Sequence, residues 1–65
     1  MGNNSQVVVL GDEGRDYVSA PITVAEAREQ SKHLGVSDGH LAYRSGKPLA
    51  DEFILESGTI VVFVS

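Results

Sequence analysis

At 65 residues, with nine acids, five bases, two histidines and no cysteine, the chain has room for one domain, and such a domain hides only ~60% of the surface its unfolded form exposes. A net charge of −4 opposes phosphate neutralisation, which needs clustered Lys and Arg, so no nucleic-acid partner is expected. No apolar run approaches the ~20 residues of a membrane span, so no membrane association is expected, and the missing thiols exclude disulfides, thiolate metal sites and cysteine nucleophiles and fit a reducing, cytoplasmic setting.

Met1-Gly2-Asn3-Asn4-Ser5-Gln6 lacks the basic and apolar regions of a secretory signal and reads as a flexible polar tail over residues 1–6, ahead of a single domain over 7–65. Gln6-Val7-Val8-Val9-Leu10 is a β-branched run that reads as a strand. Gly11-Asp12-Glu13-Gly14-Arg15 reads as a turn, and Asp16-Tyr17-Val18-Ser19-Ala20 as the returning strand of an antiparallel hairpin. Two carboxylates inside that loop, and a strand after it, argue against a phosphate cradle. Pro21 lacks a ladder N–H and should end the pairing.

Thr23 and Glu26 form the capping box Thr-x-x-Glu, followed by helix formers without Gly or Pro, so a helix is expected over 24–34. Lys32 and His33 suit its negative end, and Gly35 the left-handed position that closes it. Val24, Ala27, Ser31 and Leu34 form one narrow face, small in the middle, suited to lying close on a single sheet. Val36 is expected to tuck back under the helix. His40 should begin a strand, Leu41-Ala42-Tyr43-Arg44. A tight turn at Ser45-Gly46-Lys47 follows, then a short extended run in which Leu49 returns to the core. Leu55 is a further core anchor, and Ile60-Val61-Val62-Phe63-Val64 reads as a last, central strand. The first and last strands should lie side by side and parallel, because both are apolar almost throughout.

The stretch Leu41-Ala42-Tyr43-Arg44-Ser45-Gly46-Lys47-Pro48-Leu49-Ala50-Asp51, with Leu55 and the helix closed by Gly35-Val36, resembles the ubiquitin-like family. Glu56-Ser57-Gly58-Thr59-Ile60-Val61-Val62 is similar to the small sulfur carriers of thiamine and molybdopterin synthesis. The resemblance implies an α+β fold, the β-grasp, with a mixed ββαββ sheet packed on one helix. It also implies a non-catalytic protein-binding module, monomeric, that engages a protein partner through its open sheet face. Both families act through a C-terminal Gly-Gly tail, whereas this sequence stops at Val62-Phe63-Val64-Ser65. Two alternatives therefore stand beside the docking module. One is a sulfur-carrier or modifier domain whose Gly-Gly tail lies outside this sequence. The other is an inhibitor or mimic that occupies a ubiquitin-like partner's site.

Leu41, Tyr43, Leu49, Leu55, Ile60 and Val62 are expected to face the helix. Ala42, Arg44, Val61 and Phe63 would then form the outward docking patch, joined by Lys47, which resembles the hairpin lysine of ubiquitin by position. A one-residue slip of register would exchange the two faces and put Phe63 in the core. No cofactor or metal is expected, since His33 and His40 lack ligand spacing. The pairs Asp12-Glu13 and Asp51-Glu52 read as solvated turns, not as a general acid and base, and no serine or threonine sits in a nucleophile motif.

Overall fold

A computed structural model describes residues 5–65. In chain order these form β1 (Gln6–Gly11), β2 (Gly14–Ser19), β3 (Ile22–Thr23), α1 (Val24–Gln30), a 3-10 turn (Lys32–Leu34), β4 (Leu41–Arg44), β5 (Lys47–Leu49), β6 (Ile54–Leu55) and β7 (Ile60–Val64). Of the expected tail, residues 1–4 lie outside the described residues. β1 begins at Gln6, where the strand reading put it, so Gln6 is not part of a tail, and the pairing reaches one residue further, the Ser5 carbonyl accepting the Ala20 N–H at 2.8 Å.

The main sheet has five strands in the order β2-β1-β7-β4-β5. β1 and β7 run parallel and all other neighbours antiparallel, so the first and last strands meet inside the sheet as expected. One helix covers one face. The fold is a small α+β unit with a mixed sheet.

The helix begins where the capping box places it. The Thr23 hydroxyl accepts the Glu26 N–H at 3.2 Å, and two further first-turn donors leave the helix altogether. The Val24 N–H bonds the Phe53 carbonyl and the Ala25 N–H the Asp51 carbonyl, both at 3.0 Å. These bonds satisfy donors that a helix cannot satisfy itself and tie its start to the loop before β6. There β3 and β6 pair as a separate two-stranded sheet that the sequence did not reveal.

The α-helix ends at Gln30, four residues before the expected end. Ser31 is the cause. Its hydroxyl donates to the Ala27 carbonyl at 2.7 Å and its N–H turns to the Arg28 carbonyl at 3.1 Å. Serine competing for the carbonyl one turn back tightens the chain, and the next bonds, Leu34 to Ser31 and Gly35 to Lys32, follow the same three-residue spacing. Gly35 closes the segment in the left-handed region at φ 81°.

The core consists of Val7 and Val9 from β1, Val18 from β2, Ala42 from β4, and Val61 and Phe63 from β7. Ile22, Val24, Ala27, Leu34, Val36 and Leu55 close over them. The sheet therefore faces the helix with the side opposite to the expected one. Ala42, Val61 and Phe63, expected outward, are 2% exposed or less. Leu41, Ile60 and Val62, expected inward, are exposed, and Tyr43 lies half-buried on the same open side.

The reason is the length of one turn. The hairpin between β4 and β5 has a two-residue loop, Ser45-Gly46, at φ 52° and 80°. Positive φ at both positions is the mark of a tight hairpin turn whose twist matches its strands. It sets Ala42 opposite Leu49 and Tyr43 opposite Pro48. A three-residue turn including Lys47 would have set Tyr43 opposite Leu49. Since Leu49 packs on the core, its cross-strand partner Ala42 points there too, and Phe63, opposite Ala42, follows. The small Ala42 stands beside the Phe63 ring, over which Arg28 lies.

Candidate docking face and the polar seam behind it

The face turned away from the helix is built by register. Val8 lies opposite both Tyr17 and Ile60, Leu10 opposite Arg15 and Val62, Val62 opposite Tyr43, and Val64 opposite Leu41. Tyr17, Leu41, Ile60 and Val64 are 45–56% exposed, and Val62 is 37% exposed. These five side chains form one apolar patch on the sheet. Val8, Leu10 and Tyr43 fill the spaces between them at intermediate burial. Among the described residues, the only charged one whose position alternates onto this face is Arg15.

Of the expected patch, the fold separates Arg44 and Lys47 from Ala42, Val61 and Phe63. Arg44 and Lys47 are exposed at the β4–β5 turn, where they line a shallow notch with Pro48 and Phe53. The Arg44 guanidinium lies over the Phe53 ring at 5.8 Å. Ala42, Val61 and Phe63 are core residues and can touch no partner.

Arg28 pairs with Asp51 at 3.0 Å and Lys32 with Glu29 at 3.3 Å, both on the helix side. Arg15, Arg44 and Lys47 have no carboxylate within 4.0 Å among the described residues. Of these three, Arg15 alternates onto the open face, whereas Arg44 and Lys47 share the side of Ala42 and Leu49.

Behind the sheet runs a polar seam that sequence reasoning missed. His40 is buried. Its Nδ1 accepts the Ser37 N–H at 3.1 Å, which places the ring proton on Nε2, 3.1 Å from the Asp12 carboxylate. The Ser37 hydroxyl is also 3.1 Å from Nδ1. Serine, histidine and aspartate in sequence suggest a proton relay, but the single lone pair of Nδ1 already receives the Ser37 amide. The ring staples the 37–40 loop to the β1–β2 turn instead of activating the hydroxyl.

Arg28, also buried, donates from Nε to the His40 carbonyl at 3.1 Å and lies over the Phe63 ring at 5.7 Å. A base in the middle of a helix gives no sign of burial in the sequence. The one cue was its place one turn after Val24, beside the apolar stripe. His33 stands in the last turn of the helical segment, as expected, and its Nε2 reaches the Asp16 carboxylate at 2.6 Å. The Asp16 carboxyl is held below its ordinary value, first by the Tyr17 N–H that it accepts at 2.7 Å and then by His33.

Among the described residues no group of three or more His, Cys, Asp or Glu is placed to hold a metal ion, and no helix is long and apolar enough to cross a membrane. No protein-family model and no curated protein matches the sequence.

Proposed function

We propose that this chain is a non-catalytic docking module of ubiquitin-like, β-grasp architecture that binds a protein partner through the open face of its sheet. The observation that carries the reading is the continuous apolar surface of Tyr17, Leu41, Ile60, Val62 and Val64. Among the described residues, five of the seven exposed large apolar side chains gather on this one face. The strand order, with parallel first and last strands and a helix on one side, supports the β-grasp description.

The partner's chemistry follows from the charges. A face whose one charged position is the unpaired Arg15 complements an apolar surface that carries a matching carboxylate. Attraction between such charges speeds association and weakens with added salt.

The test is capture of a partner from the source organism by the immobilised chain. Ile60→Asp and Val62→Asp should lower affinity by at least about 30-fold, the effect of losing a buried anchor. Glu29→Ala, on the helix side, should not. Circular dichroism of each variant checks that the sheet is intact. A partner retained by both aspartate variants and lost with Glu29→Ala would overturn the reading.

A further inference from the structure

The main sheet ends in two edges, and each is blunted in its own way. At β5 the edge is only Lys47–Leu49 and contains Pro48, which has no N–H to offer. At the other edge β2 runs for six residues, with β1 on one side and no strand on the other among the described residues.

The direction of each β2 donor follows from alternation. The Ala20 N–H points inward to Ser5. In an antiparallel ladder the inward positions recur every second residue, so Val18 and Asp16 also point to β1. Arg15, Tyr17 and Ser19 direct their N–H groups away from the sheet. Tyr17 is the middle of these three, and its N–H is already taken. The Asp16 carboxylate accepts it at 2.7 Å through one oxygen, while the other oxygen meets His33 Nε2 at 2.6 Å.

We propose that Asp16, braced by His33, guards the β2 edge against strand addition, and that the strand it excludes is β2 of a second copy of this chain. The geometry of that excluded pairing is specific. Two antiparallel β2 strands with outward donors at positions 15, 17 and 19 would pair about Tyr17, with Arg15 opposite Ser19. The central exchange would use the Tyr17 N–H of each copy. Such a contact is twofold and self-complementary, the commonest form of self-association. A carboxylate seated on the central donor removes one bond per copy and places a charge in the path of the incoming carbonyl.

The experiment uses the full chain and reads mass in solution by light scattering. The native protein should behave as one copy of 6.9 kDa. Asp16→Ala should shift toward twice that mass as concentration rises, while Asp16→Asn, which retains an acceptor oxygen, should remain a single copy. Adding Ser19→Pro to Asp16→Ala removes an outward donor of β2 and should restore the single copy. An Asp16→Ala protein that stays at 6.9 kDa overturns the proposal. So does a doubled mass abolished by Val62→Asp and not by Ser19→Pro, which would assign the contact to the open face. A measurement on the native protein stands apart from every variant. The Tyr17 amide should exchange with solvent more slowly than those of Arg15 and Ser19, and equal rates would refute the guard.

Discussion

The assignment of faces rests on Phe63 and Val62, neighbours on one strand with opposite fates. Phe63 is 2% exposed and Val62 is 37% exposed. Phe63→Ala removes a ring held between Ala42 and the helix and opens a cavity, a change that costs about 3–5 kcal/mol. It also deletes the ring beneath Arg28 at 5.7 Å, for roughly another 0.5–1 kcal/mol. The whole domain is expected to have only ~3–10 kcal/mol of stability at this length, so the variant should lie near or beyond its folding limit. At ~4–8 °C per kcal/mol for a chain of this size, its Tm should fall by roughly 14–48 °C. Val62→Ala trims a side chain that is already partly in water and should cost about 1 kcal/mol or less. Thermal and urea unfolding followed by circular dichroism measure both. Equal losses for the two variants, or a greater loss for Val62→Ala, would refute the register and with it the location of the open face.

Two further outcomes follow from the seam between the first hairpin and the end of the helical segment. A Cβ on Gly11 would stand 2.8 Å from both Leu34 Cβ and Val36 Cγ2, so Gly11→Ala should destabilise by about 1–3 kcal/mol through overpacking, and an unchanged urea midpoint would show that the seam is loose. Asp16, with its folded value below its unfolded one, favours folding above the unfolded value, and this contribution fades as pH falls through the folded value. Carboxyl NMR titration of His33→Gln should show the Asp16 value moving upward but still below ordinary, because the Tyr17 N–H is the larger cause; a full return to the ordinary value would reverse that order of causes.

The local chemistry of the helix was readable because it is written in neighbouring residues. Thr23, Glu26, Gly35 and the buried stripe of Val24, Ala27, Ser31 and Leu34 all stand where that chemistry puts them. The parallel pairing of β1 with β7 was readable for a different reason, since each is apolar on both sides. That same property hid the faces. Ile60-Val61-Val62-Phe63-Val64 has no polar residue to mark the solvent side, so alternation carried no information. The choice passed to the β4–β5 turn, where counting Lys47 in the loop rather than in β5 exchanged every side chain on β4 and β7. The cue was present in Ser45-Gly46, a residue pair able to take positive φ at both positions of a two-residue turn. The burial of His40 could not be read, and that of Arg28 only from its place beside the apolar stripe. Their partners, Asp12 and Asp51, lie 28 and 23 residues away in the chain, and only the closed fold brings them together.

An apolar face and an unpaired edge are two different invitations to association, and this protein treats them differently. The face is left open. The edges are blunted by Pro48 at β5 and by the Asp16 carboxylate at β2. Strand addition recognises mainly backbone and therefore accepts many sequences, whereas contact across a sheet face depends on the shape and polarity of side chains. Under the docking reading, suppressing the first while keeping the second narrows the range of partners without adding a contact to the chosen one. The two features are also separable by experiment. Asp16→Ala opens the edge and leaves Ile60 and Val62 in place, so it should raise self-association while the affinity of a single copy for its partner stays within about threefold. A larger loss of that affinity would mean that the partner reaches over the β2 edge, and that Asp16 belongs to the docking face itself.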